Sequence, residues 1–174
     1  KYVMSALYDC WLWYDTNADS LNKKMLSTSF ASISVENGNK ITDSAVEEVT
    51  RFCKALGLPA PKGVESGASL RLISPVASIG HKDGYSIEKN DSGFTVSGES
   101  STGLLYGVFS LLQGLAQGKS PEECCKSDYP RNEIRMMNQW DNGDGDIERG
   151  YAGRSIFFKD YKFMEDLSRI KDYA

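Results

Sequence analysis

The segment Thr102 to Gln117, TGLLYGVFSLLQGLAQ, constrains the fold more than any other. Leu104, Leu105, Val108, Phe109, Leu111, Leu112 and Leu115 recur at helical spacing over an arc too wide for a helix lying alone in water. Such a helix needs a sheet to cover it, and Gly118 with Pro121 supplies its stop. Candidate strands precede it. Ser29 to Glu36 alternates Ile33 and Val35 with Ser32, Ser34 and Glu36, and Ser69–Ser74, Gly84–Glu88 and Phe94–Ser97 read as three more strands. Asn90-Asp91-Ser92-Gly93 makes the last two a hairpin. Between the first and second strands, Ser44 and Glu47 have capping-box spacing, and Val46, Val49, Cys53 and Leu56 share one face before Gly57, Pro59 and Pro61. The expectation for residues 1–125 is therefore an α+β domain, a two-layer α/β sandwich in which helices 44–56 and 102–117 lie on one face of a mixed sheet.

Composition fits a soluble globular chain: 40% hydrophobic, 25% charged and 11% aromatic over 174 residues, the size of one domain or of one domain plus a piece of another. No apolar run reaches the roughly 18 residues of a membrane span, and Lys1 is not followed by a signal-peptide core. A net charge of -4 with basic clustering only at Lys23-Lys24 argues against a nucleic-acid surface. The lone His81 excludes multi-His zinc sites and argues against a His-based nucleophilic triad. Cys53 reads as a small hydrophobe, while a disulfide between Cys10 and Cys124 or Cys125 stays open. Trp11 and Trp13, in the aromatic-rich YDCWLWYD, admit either packing or sugar stacking.

After the polar KSPEECCKSDYPRN the character of the chain changes. A strand is expected at Glu133–Asn138, a helix at Asp160–Tyr173 with Phe163, Leu167 and Ile170 on one face, and a long loop between them. That order, strand, loop and helix, looks like one severed β/α repeat, so the chain is expected to be a fragment of a larger protein. The intervening stretch interleaves Trp140, Tyr151, Asp141, Asp144, Asp146, Glu148, Arg149 and Arg154 with four glycines. Charges in such number seldom go inside, and glycine lets backbone approach a ligand, so the stretch suits a binding loop. Its spacing fits neither an EF-hand nor a phosphate loop. Asp146 and Glu148 could be a catalytic pair, hydrogen-bond a substrate or pair with an arginine; Arg149 and Arg154 could hold an anionic substrate group or pair with nearby carboxylates.

The run WDNGDGDIERGYAGRSIFF resembles the segment after the first barrel strand in the α-glucuronidases of glycoside hydrolase family 67. YDCWLWYD, SLRLIS, DGYSIE and STGLLYGVFSLLQGL extend the similarity over nearly the whole chain. The resemblance implies an N-terminal domain like the non-catalytic domain of hexosaminidases, then, from residues 126–174, the start of a (β/α)8 barrel truncated at Ala174; the whole barrel would remove 4-O-methyl-glucuronic acid from xylan fragments with inversion, without metal or cofactor. It also implies that Trp140, Asn142, Glu148, Arg149 and Tyr151 line the sugar pocket. The family's acid and base come from later strands, so no catalytic residue is expected here and the 174 residues alone are expected to be inactive. Glucuronoxylan oligosaccharides and the rest of the barrel are the expected partners, with association between copies through uncovered apolar surface. A secreted or periplasmic location is expected, with the cytoplasm left open. The alternative is a free-standing carbohydrate-binding or interaction module.

Overall fold

The computed structural model describes Tyr14 and residues 21–136, 138–168 and 170, in two compact units, Trp13–Arg131 and a second described from Asn132 onward. The first opens with α1 (Lys23–Ser29), capped by the Asn22 side chain, which accepts from Met25 N–H. Then follow β1 (Ser32–Glu36), α2 (Lys40–Ala55), β2 (Lys62–Gly63), β3 (Leu70–Ile73), β4 (Tyr85–Lys89), β5 (Phe94–Gly98), α3 (Ser101–Ala116), α4 (Pro121–Cys124) and β6 (Lys126–Asp128). The sheet order is β2-β1-β3-β5-β4-β6. Parallel pairing joins β2, β1, β3 and β5, while β4 runs antiparallel to both β5 and β6. The sheet is mixed, and the architecture is α+β.

Alternation along the strands explains the layering. Leu70, Leu72, Ile87, Phe94 and Val96 are buried, while Arg71, Glu88 and Thr95 on the other face are exposed or half-buried. Helices α2 and α3 pack on each other, and α3 lies on β4 and β5, so both helices cover the same face. Close approach is built into the sequence: a Cβ on Gly98 would sit 2.2 Å from Leu104 N, and one on Gly103 2.3 Å from Gly84 O. Both helices end alike. Leu58 N–H bonds Cys53 O and Gly57 N–H bonds Lys54 O after α2; Lys119 N–H bonds Gly114 O and Gly118 N–H bonds Leu115 O after α3. Under the helices Phe30 lies 5.3 Å from Phe52 and 6.3 Å from Phe94 between ring centroids. Tyr14 is also buried, edge-on to Phe52, with its hydroxyl donating to Glu48 and the Arg51 guanidinium over its ring.

Several boundaries differ from expectation. Helix α2 begins at Lys40, because Asn39 and Thr42 form a reciprocal capping box; Ser44 lies inside the helix and its hydroxyl donates to Lys40 O. Residues 23–29 form a helix that the sequence reading missed. Pro121 does not end α3 but starts α4, with Ser120 and Glu123 as its capping box. The sheet continues past residue 125, since β6 pairs with β4 over Tyr85–Asp128, Ser86–Ser127 and Ile87–Lys126. The turn at Asn90 is as expected: its side chain accepts from Ser92 and Gly93 N–H, and β4 and β5 form the hairpin. Cys53 and Cys124 are buried free thiols and Cys125 is a half-buried one; Trp11, Trp13 and Cys10 lie outside the described residues.

The second unit departs further. The described residues of Glu133–Asn138 form no strand, and Ile134 and Met136 are 80% and 83% exposed. A strand exists only by pairing, and the described residues of this unit offer that segment no partner strand. The helix expected from Asp160 is replaced at its start by a hairpin, β7 (Phe158–Lys159) with β8 (Lys162–Phe163), turned by Asp160 and Tyr161 at φ 50 and 61°. Helical backbone is described at Ser168 and Ile170, preceded by Asp166, whose carboxylate accepts Ser168 N–H. That bond holds the Asp166 carboxyl below its usual range.

Candidate functional site

Residues 139–164 form a loop structure held by hydrogen bonds rather than by an apolar core. Two turns follow one another. In the first, Gly145 N–H bonds Asn142 O, Asp144 accepts from Asp146 N–H, and Asp141 bridges Ile147. In the second, Asp146 bridges Arg154 and Ile147 N–H bonds Gly153 O at 3.1 Å, leaving Glu148–Gly150 as a single 3-10 turn at the apex. Glu148 and Arg149 both take the left-handed conformation, at φ 45 and 63°. This region disfavours any side chain with a Cβ, and holding residues there costs about 1–3 kcal/mol each.

Inside the loop, Ser155 is buried; its hydroxyl donates to Asp141 and accepts from Phe157 and Phe158 N–H at 2.8 Å each. Gly145 fits beneath this turn because a Cβ there would lie 2.8 Å from Phe158 O. Tyr161 N–H donates to Gly143 O, tying the hairpin to the first turn. Asp146 pairs with Arg154, so of the two readings for Arg154 the structure takes the salt bridge.

The five expected sugar-pocket residues differ in what they do here. Trp140 is 63% exposed, with its indole N–H on the Asn138 side chain at 2.9 Å. Asn142 is exposed, and its amide donates to Asp146 O at 3.1 Å. Glu148 is half-buried and bonds the Tyr151 hydroxyl, which raises the pKa of that phenol; Tyr151 itself is 78% exposed. Arg149 is exposed and makes no ion pair among the described residues. The loop thus presents two aromatic faces and a guanidinium to solvent. Among the described residues no three His, Cys, Asp or Glu side chains gather to hold a metal ion. Sequence reasoning did not single out Ser155 or Tyr161, because a lone serine or tyrosine in a polar run leaves no periodicity.

Comparison with known proteins now bears on this geometry. A family model described as glycosyl hydrolase family 20, domain 2 matches residues 20–135, and one described as glycosyl hydrolase family 67 middle domain matches residues 114–174. A protein of Aspergillus clavatus named "Probable alpha-glucuronidase A" is 32% identical over an alignment covering 96% of this chain. The chain belongs to glycosyl hydrolase family 67. Relatives of the same printed name in Aspergillus oryzae and Aspergillus niger are 46% and 39% identical, over 58% and 53% of the chain. The chain spans 22% of the length of the A. clavatus protein, 12% of the A. oryzae one and 11% of the A. niger one. The family-67 match contains the whole of the loop, and the family-20 match covers the mixed sheet and its helices. No helix among the described residues is long and apolar enough to cross a membrane.

Proposed function

We propose that the chain is the N-terminal part of a xylan-degrading α-glucuronidase that hydrolyses the α-1,2 bond of (4-O-methyl-)glucuronic acid on xylooligosaccharides with inversion. The observation that carries this reading is the loop at 140–151, which directs its internal bonds inward while leaving Trp140, Tyr151 and Arg149 open to solvent, in a chain whose relatives bear the α-glucuronidase name. Each exposed group matches one part of the substrate. A guanidinium fork suits the uronate carboxylate. Aromatic faces suit sugar rings, and Asn142 and Glu148 suit hydroxyls.

Inversion needs an acid and a base about 6.5–9.5 Å apart on opposite sides of the bond. The acid and base belong to later barrel strands, and the first barrel repeat, which follows β6, needs the rest of the barrel as its partner. Catalysis of this kind rests on preorganised geometry, so the 174-residue chain alone is inactive. A polymeric glucuronoxylan substrate favours a secreted or periplasmic parent. Hydrolysis by two carboxylates needs neither a metal nor a cofactor. The test compares the purified 174-residue chain with the full-length protein on aldouronic acids: the full-length protein releases 4-O-methyl-glucuronic acid and the chain releases none. Turnover by the chain alone, or none by the full-length protein, overturns the reading.

The self-contained bonding of the loop also favours a second reading, a carbohydrate-binding module acting without the barrel. Micromolar binding of aldouronic acid by the 174-residue chain, with no hydrolysis by the full-length protein, selects it. Association between copies is a further proposal, tested by measuring molecular size at several concentrations.

A further inference from the structure

The exposed groups of the loop stand at its ends and apex, while one buried hydroxyl closes its base. A serine hydroxyl has one proton and two lone pairs, and Ser155 uses all three, donating to Asp141 Oδ2 and accepting from Phe157 and Phe158 N–H. Its own N–H donates to Gly145 O at 2.8 Å, and the second Asp141 oxygen accepts from Gln139 Nε2 at 3.0 Å. Asp141 directly follows Trp140, and Ser155 directly follows the arm that returns from Arg149. The base bond therefore joins the two strands of chain that carry Trp140 and Arg149.

Between that base and the apex the arms are joined by the Asp146–Arg154 bridge and by Ile147 N–H to Gly153 O. No buried apolar side chain lies between Trp140 and Arg154. In such a loop position is set by hydrogen bonds, and a binding group displaced by about 1 Å no longer meets its substrate atom within hydrogen-bond distance. We propose that Ser155, acting through Asp141, is a positioning residue that sets the separation of Trp140 and Arg149, and so governs substrate affinity rather than the chemical step. This rests on the reading of Trp140 and Arg149 as uronic-acid-binding residues.

The experiment uses the full-length enzyme and an aldouronic acid. Ser155→Ala is expected to raise KM about tenfold with kcat within about twofold, the pattern of lost binding common to ground and transition states. Ser155→Thr keeps the hydroxyl and restores most of the loss. Asp141→Asn, which preserves shape and one acceptor oxygen but weakens the bond, gives a smaller rise in KM and serves if Ser155→Ala does not fold. In an Arg149→Ala background, Ser155→Ala is expected to add little, because the group it positions is gone. An unchanged KM with a lowered melting temperature, equal losses in kcat and kcat/KM, or full additivity with Arg149→Ala overturns the proposal. Wild-type kinetics in Arg149→Ala, or an inactive parent, overturns the site reading with it; an impaired Arg149→Ala beside an unaffected Ser155→Ala overturns only the positioning role.

Discussion

Phe30, Phe52 and Phe94 in the unit Trp13–Arg131 and Trp140, Tyr151 and Tyr161 in the unit from Asn132 are large aromatics put to opposite uses. The first three are fully buried, Phe52 from α2 packing on Phe30 and Phe30 on Phe94, and the last three stand in solvent, Tyr161 at 81% exposure. In the first unit apolar area removed from water holds the chain, and hydrogen bonds follow from the regular elements. In the second, side-chain and turn hydrogen bonds hold the chain, and apolar area is left over for something else to cover. Aromatic content alone therefore distinguishes neither unit; what separates them is whether the neighbours of each ring repeat at helix or strand spacing.

The largest expected effect is on the packed side of this comparison. Phe94→Ala should cost about 3–5 kcal/mol in urea unfolding of the 174-residue chain, because the site is fully enclosed. A loss below about 1 kcal/mol would mean that burial does not hold the first unit. A pH scan sharpens the same point. Burial pushes the Cys53 thiol up to about 11, and burial with the Glu48 bond pushes the Tyr14 hydroxyl up as well. Both folded values are raised, so the folded chain keeps protons that the unfolded chain releases. Stability is whole below the unfolded values of about 8.5 for cysteine and 10 for tyrosine, and falls as pH rises beyond them. Cys53→Ala should make the decline between about pH 9 and 11 shallower; an unaltered slope would place the titration elsewhere.

A smaller effect is expected at Asn39, which caps α2 and donates to Ser101 Oγ at 2.7 Å beside the start of α3. Asn39→Ala should cost about 1 kcal/mol by thermal unfolding, and Asn39→Ser should recover much of it. The smallest belongs to the exposed side. Trp140→Ala should change stability by less than about 0.5 kcal/mol while abolishing uronic-acid recognition by the full-length enzyme. A large loss of stability there would turn Trp140 into a packing residue and erase the contrast.

Legibility followed the same division. Helix α3 and the β4–β5 hairpin were readable because their burial produces a period and their ends carry capping glycine or an Asn-to-Gly turn. The start of α2 was misplaced by a rival capping box: Ser44 and Glu47 have the same spacing as Asn39 and Thr42, and only the backbone shows which pair faces the open N–H groups. Two- and three-residue strands such as β2 and β6 are too short to show alternation. Ile134 to Met137 looked like a strand by composition, yet a strand's identity lies in its partners, which no local pattern reveals. The loop at 139–164 stood out by its charges and glycines; the Ser155 hydroxyl that closes it did not, because one buried serine has no signature beyond its contacts.

The two strands that end the mixed sheet are β2, two residues with Lys62, and β6, three residues with Lys126 and Asp128. Each offers only a few unpaired backbone groups beside a charge, too few to template a strand from another molecule. Among the described residues, growth of this sheet by edge-to-edge addition is disfavoured at both ends. Edge-to-edge aggregation should therefore stay low in variants whose core has been weakened, so long as the two edges are left intact.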